Sequence, residues 1–338
     1  MAITMKDIAR DLGVSVVTVS KVLRNHSDIS AATRKRVQQR VKELNYQPNP
    51  AARALLTGRT NLIGLIVPDL VHPFFSQIAK GISAGIRSKK YGLIISSSED
   101  DPQLEIREID QMLARRVDAL ILASTQSNAD SVQRIQDQNV PYILLDRKIP
   151  GLEANFVGIN DVTAGIQATT HLIEIGCKTI AHIAGSGVST ALDRKAGYSM
   201  TLAKHGLSLA PQYLVARAHM DDSGDTSGYE GMKQLLACDP RPDGVFCGND
   251  PIAMGAMRAI LEAGLKIPKD VAVVGCGNLH YDDLLRVPLT SIDQDSDGLG
   301  ASAATLALSI VKSRSKTPPK TILLGSKLVV RASSQRMT

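Results

Sequence analysis

The chain has 338 residues, of which 43% are hydrophobic and 21% charged, and its net charge is +6. That length allows two or three domains with a sizeable core. Without a run of about 18 apolar residues it has no candidate membrane span, and without an apolar leader stretch it is expected in the cytoplasm. The charge is unevenly placed: residues 1–60 hold eleven Lys and Arg against four acids, a net +7, so the remainder comes to −1. A basic head on a near-neutral body suits a polyanion partner. Cys177, Cys238, Cys247 and Cys276 are scattered, with no CxxC pair and no His cluster, so neither a metal site nor a disulfide framework is expected.

The first predicted helix follows Thr4, a good N-cap, with Met5, Ile8, Ala9 and Leu12 at helical spacing, and Gly13 stops it. Ser15 caps a second helix whose inner face is Val19, Val22 and Leu23. A third runs from Ser30, with Val37, Val41 and Leu44 inward. Two short helices across a tight glycine turn form a helix-turn-helix unit. The second helix of such a unit lies in the major groove of DNA, and here Val16, Val17 and Lys21 point at base edges. Two valines make only apolar contacts, such as with thymine methyls, while Lys21 reaches guanine acceptors. After Tyr46, Pro48 breaks the third helix. Asn49 then caps a short helix with Pro50 at its first position, and Gly58 ends it. A helix of about eight residues is marginal by itself, so it forms only against a partner copy or DNA.

From Leu62 the pattern alternates strands and helices. Strands are predicted at Leu62–Val67, Leu93–Ile95, Ala119–Ala123, Tyr142–Leu145 and Phe156–Ile159, then at Thr179–Ala184, Tyr213–Ala216, Gly244–Cys247 and Val271–Val274. Two such series imply two α/β lobes, each with a parallel sheet covered on both faces. Ligands of open α/β sheets bind beyond the carboxyl ends of the strands. Asp69, Ser124, Asp146, Arg147, Asn249, Asp250 and Asn278 stand at those ends.

The stretches Lys6-Asp7-Ile8-Ala9, Gly13-Val14-Ser15, Thr18-Val19-Ser20, Leu44-Asn45-Tyr46, Ala52-Arg53-Ala54-Leu55 and Ile63-Gly64-Leu65-Ile66 leading to Pro73-Phe74-Phe75 resemble the lactose-repressor family of bacterial transcription regulators. The similarity runs from residue 4 to about 332. It implies a three-helix DNA-binding domain over 1–47, a hinge helix or linker over 48–60 and an effector-binding, dimerising core over 61–338. The core resembles periplasmic binding proteins with three crossovers. Lobe 1 is expected at about 61–160 and 292–320, and lobe 2 at about 161–291 and 321–333.

The resemblance implies DNA contacts from Ser15, Val16, Val17, Thr18, Ser20 and Lys21, with Arg24 an added phosphate contact where many relatives have Asn. It extends them to Thr33, Arg34, Tyr46, Asn49, Ala52 and Arg53, and makes Leu55 a wedge in the minor groove. For the effector it implies Phe74, Phe75, Ser124, Asp146, Arg194, Asn249 and Gln294. Two positions depart from the family: Ser223 stands where an aromatic often stacks on the effector, and Gly277 where relatives carry Asp. With Arg194 kept and an acid lost, an anionic effector, a sugar acid or sugar phosphate, gains over a neutral sugar. No cofactor is implied.

The expected protein is therefore a homodimeric regulator, a repressor of sugar or related carbon metabolism, bound to a palindromic operator and controlled by a small polar effector in the interlobe cleft. An alternative is a catabolite-control-type regulator whose co-effector is a phosphocarrier protein. An enzyme is disfavoured. Gly185-Ser186-Gly187-Val188-Ser189-Thr190 has Thr in place of the third glycine of a dinucleotide fingerprint, and no nucleophile–base pair or metal set accompanies it.

Overall fold

The computed structural model describes residues 3–47, 54, 58–126, 128–185, 187–216, 225–313 and 318–336. It divides into a unit of residues 1–60 and a unit of residues 61–338. Among the described residues no helix is long and apolar enough to cross a membrane.

The first unit has helices α1 (Met5–Leu12), α2 (Val16–Leu23) and α3 (Ala31–Glu43). Each begins at a side-chain cap. Thr4 accepts from the Asp7 N–H while the Asp7 carboxylate accepts from the Thr4 N–H, a reciprocal capping box. Ser15 accepts from the Thr18 N–H at 3.0 Å and Ser30 from the Thr33 N–H at 3.3 Å. Gly13 ends α1 at φ 65°, a left-handed turn that suits glycine. Ile8, Ala9, Val19, Val22 and Val37 form the buried core, with Leu12, Leu23, Val41, Leu44 and Tyr46 packed at its margin. This is the inner face expected from the periodicity.

The second unit holds two six-stranded sheets. The first contains β1 (Leu62–Val67), β2 (Gly92–Ser97), β3 (Ala119–Leu122), β4 (Tyr142–Leu145), β5 (Asn155–Ile159) and β11 (Thr321–Leu324), in the order β11-β5-β4-β3-β1-β2. The second contains β6 (Ile180–Ala184), β7 (Leu214–Ala216), β8 (Gly244–Cys247), β9 (Ala272–Gly277), β10 (Thr290–Asp293) and β12 (Lys327–Val329), in the order β12-β10-β9-β8-β6-β7. All neighbours are parallel except β12, which runs antiparallel to β10. Strands β3 and β8 are buried along their whole length, so they read as unbroken apolar runs rather than alternating ones.

Lobe 1 is covered by α4 (Pro73–Arg87), α5 (Pro102–Ala114), α6 (Asp130–Asp137) and α11 (Ser296–Lys312). Lobe 2 is covered by α7 (Asp161–Glu174), α8 (Ser189–Lys204), α9 (Asp225–Leu236) and α10 (Asp250–Glu262). The helices α7 and α8 touch through facing glycines. A Cβ on Gly165 would stand 2.2 Å from the Arg194 carbonyl oxygen, and one on Gly197 2.2 Å from that of Val162. Only glycine permits this approach, and it sets where α8 carries Arg194.

The chain passes between the lobes three times: at Asn160 between β5 and α7, at Gln294-Asp295 between β10 and α11, and at Gly325-Ser326 between β11 and β12. One boundary differs from expectation. The segment Thr321–Leu324, placed in lobe 2 by the sequence reading, pairs in parallel with β5 and so completes the sheet of lobe 1. Two consecutive short apolar runs divided by Gly325-Ser326 read as one strand in sequence, whereas they are edge strands of different sheets.

Candidate nucleic-acid interface and effector cleft

In the first unit, Val16 and Val17 sit in the opening turn of α2 with 37% and 62% of their surface exposed. A core role is thereby excluded for both. Ser15 and Thr18 are occupied locally, as the cap and its hydroxyl neighbour at 2.9 Å. Lys21 pairs with Asp28, beyond the end of α2. Arg24 Nε donates to the Ser20 carbonyl oxygen at 3.3 Å, which lays the guanidinium along the helix end. Thr33 accepts from the Ser30 hydroxyl at 2.9 Å, and Arg34 holds the α2–α3 loop through Asn25 Oδ1 and the His26 carbonyl. Tyr46 is half-buried against the core. Asn49, Ala52, Arg53 and Leu55 lie outside the described residues. Ala54 is helical, and the Gly58 N–H reaches its carbonyl at 2.8 Å with φ 68° at Gly58. That is the left-handed helix end expected at this glycine.

In the second unit, the carboxyl ends of both sheets face a cavity of about 60 Å³. Phe74, Phe75, Asp146, Arg194, Asn249 and Gln294, six of the expected effector residues, line it together. Phe74 and Phe75 meet edge to face, ring centroids 5.1 Å apart, and both also belong to the core of lobe 1. Asn249 caps α10 by accepting from the Ile252 N–H at 2.9 Å. Asp146 follows β4 at φ 62°, a left-handed backbone that costs energy for a non-glycine residue and aims the carboxyl inward. Its pKa is pushed up to about 6, chiefly by burial and secondly by the charge of Asp161.

Arg194 is the hub. Its Nε donates to Asp161 Oδ1 at 2.8 Å, Nη1 to the Gly248 carbonyl oxygen at 2.7 Å and Nη2 to Gln294 Oε1 at 2.9 Å. Asp161 is the first residue of α7, directly after the first crossover, and Gln294 lies in the second. One buried guanidinium therefore ties two crossovers to the second lobe.

Two expected residues are placed differently. Ser124 donates to Glu105 Oε1 at 2.9 Å and does not line the cavity. Glu105, fully buried on α5, also takes the Ser131 hydroxyl and the Thr125 N–H, so Ser124 serves the inside of lobe 1. Gly277 does not leave a gap: a Cβ there would stand 2.6 Å from Asp250 Oδ2. The space is taken by Asp250 of α10, whose carboxylate accepts from the Ser291 hydroxyl and the Leu279 N–H and does not line the cavity. Ser223 lies outside the described residues. The expected gain for an anionic effector is therefore not supported, because Arg194 is already neutralised by Asp161 and Arg147 by Asp100 at 2.6 Å.

Of the lining residues not expected as effector contacts, His72, Arg147, Thr190 and His182 bring polar side chains. His72 caps α4 and stacks edge-on to Phe75, ring centroids 5.6 Å apart. Burial, helped by Arg147 and Arg194, lowers its pKa to about 4. Arg147 lies 5.9 Å over the Phe75 ring. Thr190 opens α8. His182 stands mid-strand in β6, stacked 4.8 Å from Phe246. A histidine inside an apolar strand reads as core, and only its position opposite lobe 1 marks it otherwise.

A basic three-helix head on a chain whose core is two-lobed, with three crossovers and a polar cleft, is the architecture of a DNA-binding regulator. Residues 4–49 match the family described as bacterial regulatory proteins of the lacI family, and residues 60–329 match the periplasmic binding proteins and sugar binding domain of that family. The chain belongs to the lacI family of transcription regulators, and it is a DNA-binding regulator rather than an enzyme. It is 33% identical to the ribose operon repressor of Escherichia coli strain K12, across 89% of this chain and 90% of that protein. It is 31% identical to catabolite control protein A of Priestia megaterium, across 90% and 92%. The structure of the lac repressor dimer bound to operator and the anti-inducer ONPF matches with TM-score 0.86 and 28% identity, covering 99% of this chain and all of that one.

Proposed function

We propose that this regulator represses genes of sugar metabolism as a homodimer on a palindromic operator, switched by a neutral polyhydroxylated effector in the interlobe cleft. The observation that carries the reading is Arg194, which lines the cleft and grips the first two crossovers at once. A ligand that competes for Asp161 or Gln294 acts directly on the segments that set the lobe angle. Ligand pockets usually exceed about 300 Å³, so a sugar ring enters the present cavity of about 60 Å³ only as the lobes part. The effector shifts the lobe equilibrium by its difference in affinity for the two arrangements, and by no more. The segment over 48–60, expected from its sequence to form a helix that is marginal by itself, is the link through which the shift reaches the head.

A helix-turn-helix head spans only a few base pairs, so two heads related by a two-fold axis are needed for an operator. The relatives named for ribose and lac regulation support a sugar as the signal. The phosphocarrier alternative draws on the catabolite control relative.

Footprinting of bound genomic sites, followed by operator gel shifts with the sugar whose genes adjoin them, tests the reading. A palindromic footprint and a sugar-dependent change in affinity are expected. A footprint that no sugar alters, but a phosphocarrier protein does, overturns the effector assignment. Leu55→Ala is expected to weaken operator binding and reduce DNA bending; an unchanged bend angle in a circular-permutation assay removes the minor-groove wedge.

A further inference from the structure

Among the described residues, six buried side-chain atoms lack a hydrogen-bond partner, and two of them, Asp146 Oδ1 and His182 Nε2, belong to residues lining the same cavity. Buried polar atoms are nearly always paired, so two orphans beside one cavity call for a common explanation. The protonation of His182 is settled by its other nitrogen. Nδ1 lies 2.8 Å from the Phe246 carbonyl oxygen, which can only accept, so Nδ1 carries the hydrogen. In the neutral ring Nε2 is then a bare acceptor. The ring is kept neutral by complete burial, which outweighs the Phe246 bond, and by the nearby charges of Arg194 and Lys195, with a pKa lowered to about 4. The ring is also fixed in orientation, stacked on Phe246 at 13° between planes and 5.3 Å from Tyr198.

We propose that His182 is an effector contact whose Nε2 accepts a hydrogen bond from an effector hydroxyl, and that this acceptor and Asp146 Oδ1 together select neutral polyhydroxylated molecules over their phosphates and acids. The proposal rests on the interlobe cleft being the effector site. Two acceptors demand two donated hydrogens. Adjacent sugar hydroxyls supply them while their own oxygens accept from Arg194. A phosphate dianion or a carboxylate set against either acceptor has no hydrogen to give and places lone pairs against lone pairs there. The cations that would otherwise draw such a group, Arg147 and Arg194, are already paired with Asp100 and Asp161.

The test is calorimetric titration of the full chain with a panel of neutral aldopentoses and aldohexoses, their single-site deoxy derivatives and their monophosphates. The best neutral aldose is expected to bind at least 100-fold more tightly than its phosphate. His182→Phe, which keeps the stack on Phe246, is expected to weaken that aldose about tenfold. One deoxy derivative should lose about tenfold against the unaltered protein and nothing further against the variant, because both changes delete the same bond. His182→Gln, which retains an acceptor, should recover most of the loss. Should the phenylalanine variant fail to fold, as read by its melting temperature, the glutamine variant and the aldose-to-phosphate ratio decide. Unchanged affinity in His182→Phe, or deoxy penalties that all persist in it, overturns the role of His182. Preference for a phosphate overturns the selectivity and leaves the cleft as effector site. Failure of every panel member to bind overturns both.

Discussion

Arg194 shows how one side chain acquires two duties. It presents a guanidinium to the cleft, and it neutralises the buried Asp161 carboxylate at 2.7 Å, both side chains being less than a tenth exposed. Removing one partner of a buried pair leaves the other charge stranded, at about 3–5 kcal/mol. Arg194→Ala is therefore expected to lower the unfolding free energy by about that amount in urea titration, besides altering any ligand response. A loss below about 1 kcal/mol would show that Asp161 finds water or another partner. Part of the cleft was legible in sequence, because Asp146 and Asn249 follow strands whose apolar run is plain, while Gln294, after the polar strand Thr290–Asp293, was placed by the resemblance alone. What stayed hidden were pairings: Arg194 meets Asp161 across 33 residues and Gln294 across 100, and no local pattern records such a meeting. Ser124 misled for the same reason, since its partner Glu105 lies on a helix of the same lobe.

Among the elements, α2 was the most readable and remains the most directly testable. Its cap, its inner valines and its exposed Val16 and Val17 agree with the periodicity, because a short amphipathic helix against two others leaves one face free. The pairing of Lys21 with Asp28 was not foreseen, and it holds the ammonium group beside the end of α2. Lys21→Ala is expected to cost about 1–3 kcal/mol at one base position and relax specificity there, as read from a substituted-operator series. A uniform loss over all sequences would make Lys21 a phosphate contact.

The amino end of α10 carries a second testable arrangement. Asp250 is buried in the space left by Gly275 and Gly277, accepts from the Ser291 hydroxyl at 2.6 Å and faces Asp282. The Asp282 carboxyl is fully buried against that of Asp250, and Arg331 Nη1 is 4.0 Å away. Burial, and then the charge of Asp250, pushes the Asp282 pKa up to about 9. The folded chain thus keeps a proton that the unfolded chain has lost above about pH 4. This group's contribution to stability then falls as pH rises through this window and levels off above about 9. The buried histidines His72 and His182, with pKa values near 4, act oppositely, but only below about pH 6.5. Between pH 7 and 8 Asp282 gives the falling slope, and above about pH 8 the buried thiols of Cys177, Cys247 and Cys276, all pushed up by burial, add a fall of the same sign. Asp282→Asn is expected to flatten the slope below about pH 8 in urea unfolding curves; an undiminished slope would assign the proton elsewhere.

At the scale of the whole molecule, the two sheets and their layering followed from alternating strands and helices, whereas β10 at Thr290–Asp293, which completes the sheet of lobe 2, and the split of the last apolar run between lobes did not. Assembly is the least visible in one chain. Lobe 2 carries an apolar groove bounded by Met254, Leu261, Leu285 and Val287, beside Leu284, which is 76% exposed. We propose this groove as the seat of a second copy, since the lac repressor structure that the chain resembles is a dimer. Leu284→Glu is expected to shift the protein to monomer in sedimentation velocity and to weaken operator binding. A variant that stays dimeric would move the interface to another face.

The three crossovers have a further consequence for how the core responds to damage. Each lobe is stitched to the other at Asn160, at Gln294-Asp295 and at Gly325-Ser326. A protease that severs any one of these leaves two covalent links and both sheets intact. The nicked chain should migrate as fragments in denaturing gels yet elute as a single species under native conditions. The waist that lets the lobes turn is, in this sense, also redundant.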